Sequence, residues 1–115
     1  MAYYKDLKVW EKSMDMVIEI YKILENFPNF EKFALADQIR RCAISIPSNI
    51  AEGSARNSKK EFIQFLHISL GSLYELQTQL EIALRLNYIN KNSEIYNVIF
   101  EIEKMLNSLI FSMKK

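Results

Sequence analysis

The sequence predicts an all-α fold, an antiparallel up-and-down four-helix bundle whose second helix is bent at Pro47, formed by a single domain over residues 1–115. Three observations predict it. Only two glycines and two prolines occur in 115 residues, so turns must be few. Apolar residues recur at steps of 3 and 4 through four separate stretches, the spacing that lines one side of an α-helix. The intervals between those stretches are short, and short connections make consecutive helices antiparallel neighbours.

In the first stretch Leu7, Trp10, Met14, Val17, Tyr21 and Leu24 follow one another at steps of 3, 4, 3, 4 and 3, and they are the expected core face. Lys8, Glu11, Lys12, Asp15, Glu19 and Lys22 supply a wet face opposite. Asn26-Phe27-Pro28 ends this helix, because the residue before a proline avoids the α region. A second helix is expected to begin near Asn29 to Glu31, with Asn29 as N-cap and Glu31 suited to the positive helix start. Leu35, Ile39, Cys42, Ile46 and Ile50 recur at steps of 4, 3, 4 and 4. The last step crosses Pro47 without losing phase, so one helix passes through the proline. Pro47 removes the hydrogen bond to the Ala43 carbonyl, at about 3 kcal/mol in a helix interior, and packing must offset that. Ser48 and Asn49 stand where they can satisfy freed backbone groups. Gly53 is expected to stop the helix by taking the left-handed conformation.

Ser58 and Glu61 make a capping-box pattern that starts the third helix. Phe62, Leu66, Ser69, Leu73, Leu76, Leu80 and Ala83 then alternate steps of 4 and 3, the seam of a packed bundle. The run breaks between Asn87 and Asn92. A fourth helix carries Ile95, Ile99, Ile102, Leu106, Leu109 and Met113, and Lys114 and Lys115 suit its negative end.

Fifteen basic residues against fourteen acidic ones leave a net charge of +1, so no global field draws the chain to nucleic acid or to an anionic membrane. The single cysteine, Cys42, forms no internal disulfide, and MAYYKDLKVWEK lacks an apolar signal core, so a cytoplasmic protein is expected. No apolar run approaches the ~20 residues that a membrane span needs. His67 is the lone histidine and reads as a packed residue, while Cys42 sits on the apolar stripe between Ile39 and Ile46. Glu52 and Glu75 are a candidate carboxylate pair, but general acid-base work also needs a pocket. No phosphate loop, nucleophile elbow or helix-borne metal motif occurs. No catalytic residue, cofactor or metal is therefore expected, and the chain does not read as an enzyme.

Two stretches are dry on every side. Residues 62–74, FIQFLHISLGSLY, and 42–51, CAISIPSNIA, contain no Asp, Glu, Lys or Arg. A helix apolar all round is normally buried all round, whereas a lone four-helix bundle keeps one face of each helix wet. A homo-oligomer is the expected resolution, with Ile46, Pro47, Ile50, Phe65, Ile68, Ser69, Gly71 and Ser72 as candidate interface residues. Ser69, Gly71 and Ser72 carry little bulk and admit a neighbouring backbone. The alternative is a monomer in which the third helix is central and Gln64, His67, Ser69 and Ser72 form its polar side. Arg40, Arg41, Arg56, Lys59 and Lys60 form the one basic cluster, a candidate nucleic-acid patch. Solvated charges and intersubunit partners for Glu52, Glu61 or Glu75 are the other reading of it.

RRCAISIPSNIAEG, FLHISLGSLYELQTQLEIALRLNYI and YKDLKVWEKS resemble the small four-helix-bundle proteins encoded by intervening sequences in bacterial 23S rRNA genes. Fainter similarity, mainly of fold, extends to the accessory variability proteins of diversity-generating retroelements, which are strongly basic and associated with nucleic acid. The matching positions are Trp10, Gln38, Arg41, Ser45 through Gly53, Gly71, Ser72, Glu75 and Leu76. Asn87 stands before Tyr88 where such proteins usually have glycine. The resemblance implies an all-α subunit of a ring, a homopentamer with a central channel, and no known reaction. The expected function is thus that of a non-enzymatic scaffold or interaction module whose partner is itself. The alternative is an RNA-binding protein associated with ribosomal RNA through the basic patch.

Overall fold

The computed structural model describes residues 3–115. Four helices follow in chain order: α1 (Lys8–Leu24), α2 (Leu35–Ser54), α3 (Lys59–Arg85) and α4 (Ile95–Met113). Single 3-10 turns, Tyr4–Asp6 and Asn29–Glu31, precede α1 and α2. Each helix packs on its neighbours in sequence and α4 closes on α1, with no diagonal pairing among the described residues, which is the up-and-down order. The α2–α3 contact is the most extensive. The molecule measures 44 × 25 × 20 Å, its length set by α3, whose 27 residues span about 40 Å.

The core seam of α3 is the one its spacing predicts, since all seven seam residues from Phe62 to Ala83 are buried. Ser58 caps the helix, its Oγ accepting from the Glu61 N–H at 3.1 Å. On α4 the seam ends at Ile110, and Leu109 and Met113 are half-buried beside it.

On α1 the core face is displaced from the expected one. Val9, Ser13, Met16, Val17 and Ile20 are buried, while Met14 and Tyr21 are 37% and 44% exposed. Two apolar stripes run side by side along this helix, and the one facing the core contains a serine. Ser13 is tolerated there because its Oγ–H donates to the Val9 carbonyl at 2.7 Å within the same helix.

The α2 helix begins at Leu35, not at Asn29 to Glu31, because Ala34 has a non-helical backbone (φ −121°, ψ −110°). Asn29 forms no cap. Glu31 instead ties two connections together: its Oε1 accepts from the Leu35 N–H at 3.3 Å and its Oε2 from the Tyr88 hydroxyl at 2.9 Å. The Phe27 and Tyr88 rings lie 5.1 Å apart beneath it.

The helix runs unbroken through Pro47 to Ser54. Near the proline, Ser45 Oγ–H donates to the Cys42 carbonyl at 2.6 Å and the Asn49 amide donates to the Ser45 carbonyl at 2.8 Å. Neither bond reaches the Ala43 carbonyl, which Pro47 leaves without its helical donor, so the repair expected of Ser48 and Asn49 is not made by these side chains among the described residues.

Gly53 does not end α2 by a left-handed turn, since no glycine has positive φ. It is needed for close packing: a Cβ there would lie 2.5 Å from Phe65 Cβ. The left-handed residue is Asn87, at φ 65°. The Tyr88 N–H reaches the Ala83 carbonyl at 2.9 Å and the Asn87 N–H reaches that of Leu84 at 3.0 Å. That pair of bonds is the Schellman stop of α3, so asparagine makes the tight turn that glycine makes elsewhere.

Candidate functional site

The dry α2 and α3 stretches bury part of their apolar surface against each other. Ile46, Ile50 and Ser69 are fully enclosed and Pro47 is buried within one chain. Ser69 Oγ–H donates to the Ile46 carbonyl at 2.9 Å, a helix-to-helix bond inside the subunit. These four candidate interface residues are therefore taken up inside one chain, and four remain nearer the surface. Phe65 is half-buried under the Arg56 guanidinium, 4.9 Å from its ring centre. Ser72 is half-buried. Ile68 is 49% exposed, and Gly71 is exposed with nothing within 4 Å of where its Cβ would lie. Ile68, Gly71, Glu75 and Ile82 fall on one outer face of α3 by helical spacing, and Ile82 is 45% exposed.

On the other side of α2 a groove of about 550 Å³ opens against α1, lined by Trp10, Met14, Val17, Ile44, Pro47 and Ala51, with Tyr4, Ser48 and Glu52 at its edges. It is mostly apolar because Met14, displaced from the core face, and Ile44, on the outside of α2, both border it. The sequence signal was present in that second α1 stripe.

The basic cluster divides. Arg40 and Arg41 both bind Asp37, at 2.7 and 2.8 Å, and the Arg40 hydrogen bond, seconded by Arg41, holds the Asp37 carboxyl below its ordinary value. Arg41 is 79% exposed at its side chain. Arg56 binds Glu52 at 3.0 Å. About 20 Å of helix axis separates the two groups. Lys59 and Lys60 lie in a separate groove of about 360 Å³ with Ile63, Gln64, Met113 and Lys114. Lys114 is the residue that sequence reasoning missed, because only the fold brings the end of α4 to the start of α3.

A polar cleft of about 430 Å³ separates α2 from α3, lined by Gln38, Arg41, Cys42, Ser45, Ser72, Glu75 and Gln79. The Cys42 thiol lies 3.0 Å from the Ser72 carbonyl and 3.2 Å from Glu75 Oε1. Burial first, then the Glu75 hydrogen bond and charge, push its pKa up to about 12. It is a neutral donor and not a nucleophile. Glu52 and Glu75 do not pair: they line different clefts on opposite sides of α2. His67 is exposed rather than packed. Among the described residues no group of three or more His, Cys, Asp and Glu side chains is placed to hold a metal ion. No helix among them is long and apolar enough to cross a membrane.

These features define the class: an all-helical up-and-down bundle marked by an apolar groove, an exposed α3 face, a lysine-lined end and a polar α2–α3 cleft. The 23S rRNA-intervening sequence protein family matches residues 5–108, and the chain belongs to that family. A crystal structure of a protein of unknown function from the S23 ribosomal protein family of Bacteroides thetaiotaomicron is similar over 89% of this chain and 94% of that one, with 33% identity and a TM-score of 0.81. No curated protein matches the chain.

Proposed function

We propose that this chain is a non-enzymatic cytoplasmic scaffold subunit that assembles with copies of itself through the outer face of α3 and the groove beside Pro47. What supports this reading is Gly71. Glycine inside a helix costs about 1 kcal/mol relative to alanine. Gly53 has a reason inside the subunit, since Phe65 Cβ would stand 2.5 Å from an added Cβ. Gly71 has no such reason, yet it sits on an exposed face between Ile68 and Ile82, with Glu75 the one charged residue among them. A residue without a side chain there admits a second backbone. The α3 ridge and the α1–α2 groove are different surfaces, so ridge-into-groove docking is heterologous, and such contacts build rings or filaments. The family resemblance favours a ring of five.

Sedimentation velocity tests this. Gly71→Leu and Ile68→Glu should each shift the assembled species toward single chains while circular dichroism stays helical. Unchanged sedimentation in both variants would overturn the reading.

A second reading, binding of RNA, draws on the lysine-lined end. Lys59, Lys60 and Lys114 converge on one groove, and none of them pairs with a carboxylate among the described residues. A family described by 23S rRNA and a relative from a ribosomal protein family make RNA the polyanion to try. Affinity should fall steeply with salt. Reversing Lys59 and Lys60 to Glu should weaken it and lower the salt slope by about 1 per lost phosphate contact, with the oligomer intact.

A further inference from the structure

We propose that the outer face of α4 is a platform for single-stranded RNA, on which unpaired bases stack against Phe100 and Phe111 while Lys104 and Lys115 meet phosphates. It rests on the RNA reading above and names the form of RNA bound. Three observations carry it. First, Phe100 and Phe111 are 59% and 66% exposed. They stand 11 residues apart on α4, which puts both rings on one side of the helix, about 16 Å apart along its axis. Neither joins the core, and neither packs on another aromatic ring among the described residues.

Second, each ring carries its own cation four residues on. Lys104 Nζ lies 5.4 Å from the centre of the Phe100 ring, and Lys115 Nζ lies 5.1 Å from that of Phe111. Neither lysine pairs with a carboxylate among the described residues. The carboxylates of α4 are engaged elsewhere. Glu101 holds Lys12 at 2.8 Å, and Glu103 accepts from the Tyr74 hydroxyl at 3.0 Å and from the Gln77 amide at 3.4 Å. The face is thus positive beside each ring. Lys115 follows Lys114, so this face continues the lysine-lined groove.

Third, the apolar surface is divided. Asn107 and Ser108, both exposed, separate the two rings. An anionic bilayer or the flank of a second copy is met best by a continuous apolar strip, which this face lacks. Flat apolar units joined by anionic links are the chemistry of a single strand. Stacking on an aromatic side chain needs no particular base. It does need bases that are free of a partner, since those of an A-form duplex stay stacked inside the helix.

The test is fluorescence anisotropy with the full chain and a labelled RNA of about 12 nucleotides, either single-stranded or annealed to its complement. The single strand should bind about tenfold more tightly than the duplex, or better. Phe100→Leu and Phe111→Leu keep an apolar side chain at an exposed helix position and remove the ring. Each should weaken single-strand binding roughly fivefold or more, as loss of one stacked base does, with duplex binding and sedimentation unchanged. Equal binding of both RNA forms, with both variants matching wild type, removes the platform and leaves the RNA reading at the lysine end. No binding of either form removes both. Variants that dissociate the assembly while binding RNA as wild type does assign the two rings to a contact between copies. Variants that lose phosphatidylserine vesicles but not RNA assign them to a lipid surface. Either of these last results sinks the proposal.

Discussion

Gly53 and Gly71 both lie inside helices, yet opposite effects are expected from the same substitution. Gly53→Ala places a methyl 2.5 Å from Phe65 Cβ and should cost about 1–3 kcal/mol, as overpacking does. Gly71→Ala meets nothing within 4 Å and should stabilise the separated subunit by about 0.5–1 kcal/mol. Urea unfolding of single chains at low concentration measures both. Cys42 makes a pH prediction. Its folded pKa, about 12, lies above its ordinary 9.0. The stability it contributes is therefore complete below pH 9 and is lost as pH rises toward 12. Wild type should lose more stability over that window than Cys42→Ala does. At pH 8 iodoacetamide should alkylate the folded thiol on the order of 10³ more slowly than an unshifted cysteine, by thiolate fraction alone. The apolar setting of Cys42 could be read from its stripe, but Glu75 as its partner could not, because 33 residues separate them.

Helices were legible where their cause is local. The α3 seam, the Ser58 cap and the break after Leu86 all follow from neighbours in sequence. The start of α2 was not, because Glu31 is drawn into a bond with Tyr88 across 57 residues. Nor was the core side of α1, where a serine takes a seam position by bonding its own helix. The stop of α3 is testable as an element. Asn87 sits at φ 65°, a conformation that costs roughly 1–2 kcal/mol for an ordinary side chain. Asn87→Val should lose about that much in thermal or urea unfolding, while Asn87→Gly should hold or gain a little. Equal stability of the two variants would contradict the Schellman assignment.

At the scale of the molecule, folding divides what the sequence groups together. The five-residue basic cluster becomes two ion-paired arginines on Asp37, an arginine on Glu52, and a lysine end completed by Lys114. The dry stretches, uniform in sequence, separate into a face consumed by α2–α3 packing and a face that a single chain leaves uncovered. The second face carries the scaffold reading. Light scattering coupled to size exclusion measures it most directly, on wild type and Ile68→Glu at tens of micromolar. The expected wild-type mass is several times the 13.6 kDa of one chain, collapsing to a single chain in the variant. A wild type that elutes at the mass of one chain at that concentration would contradict it.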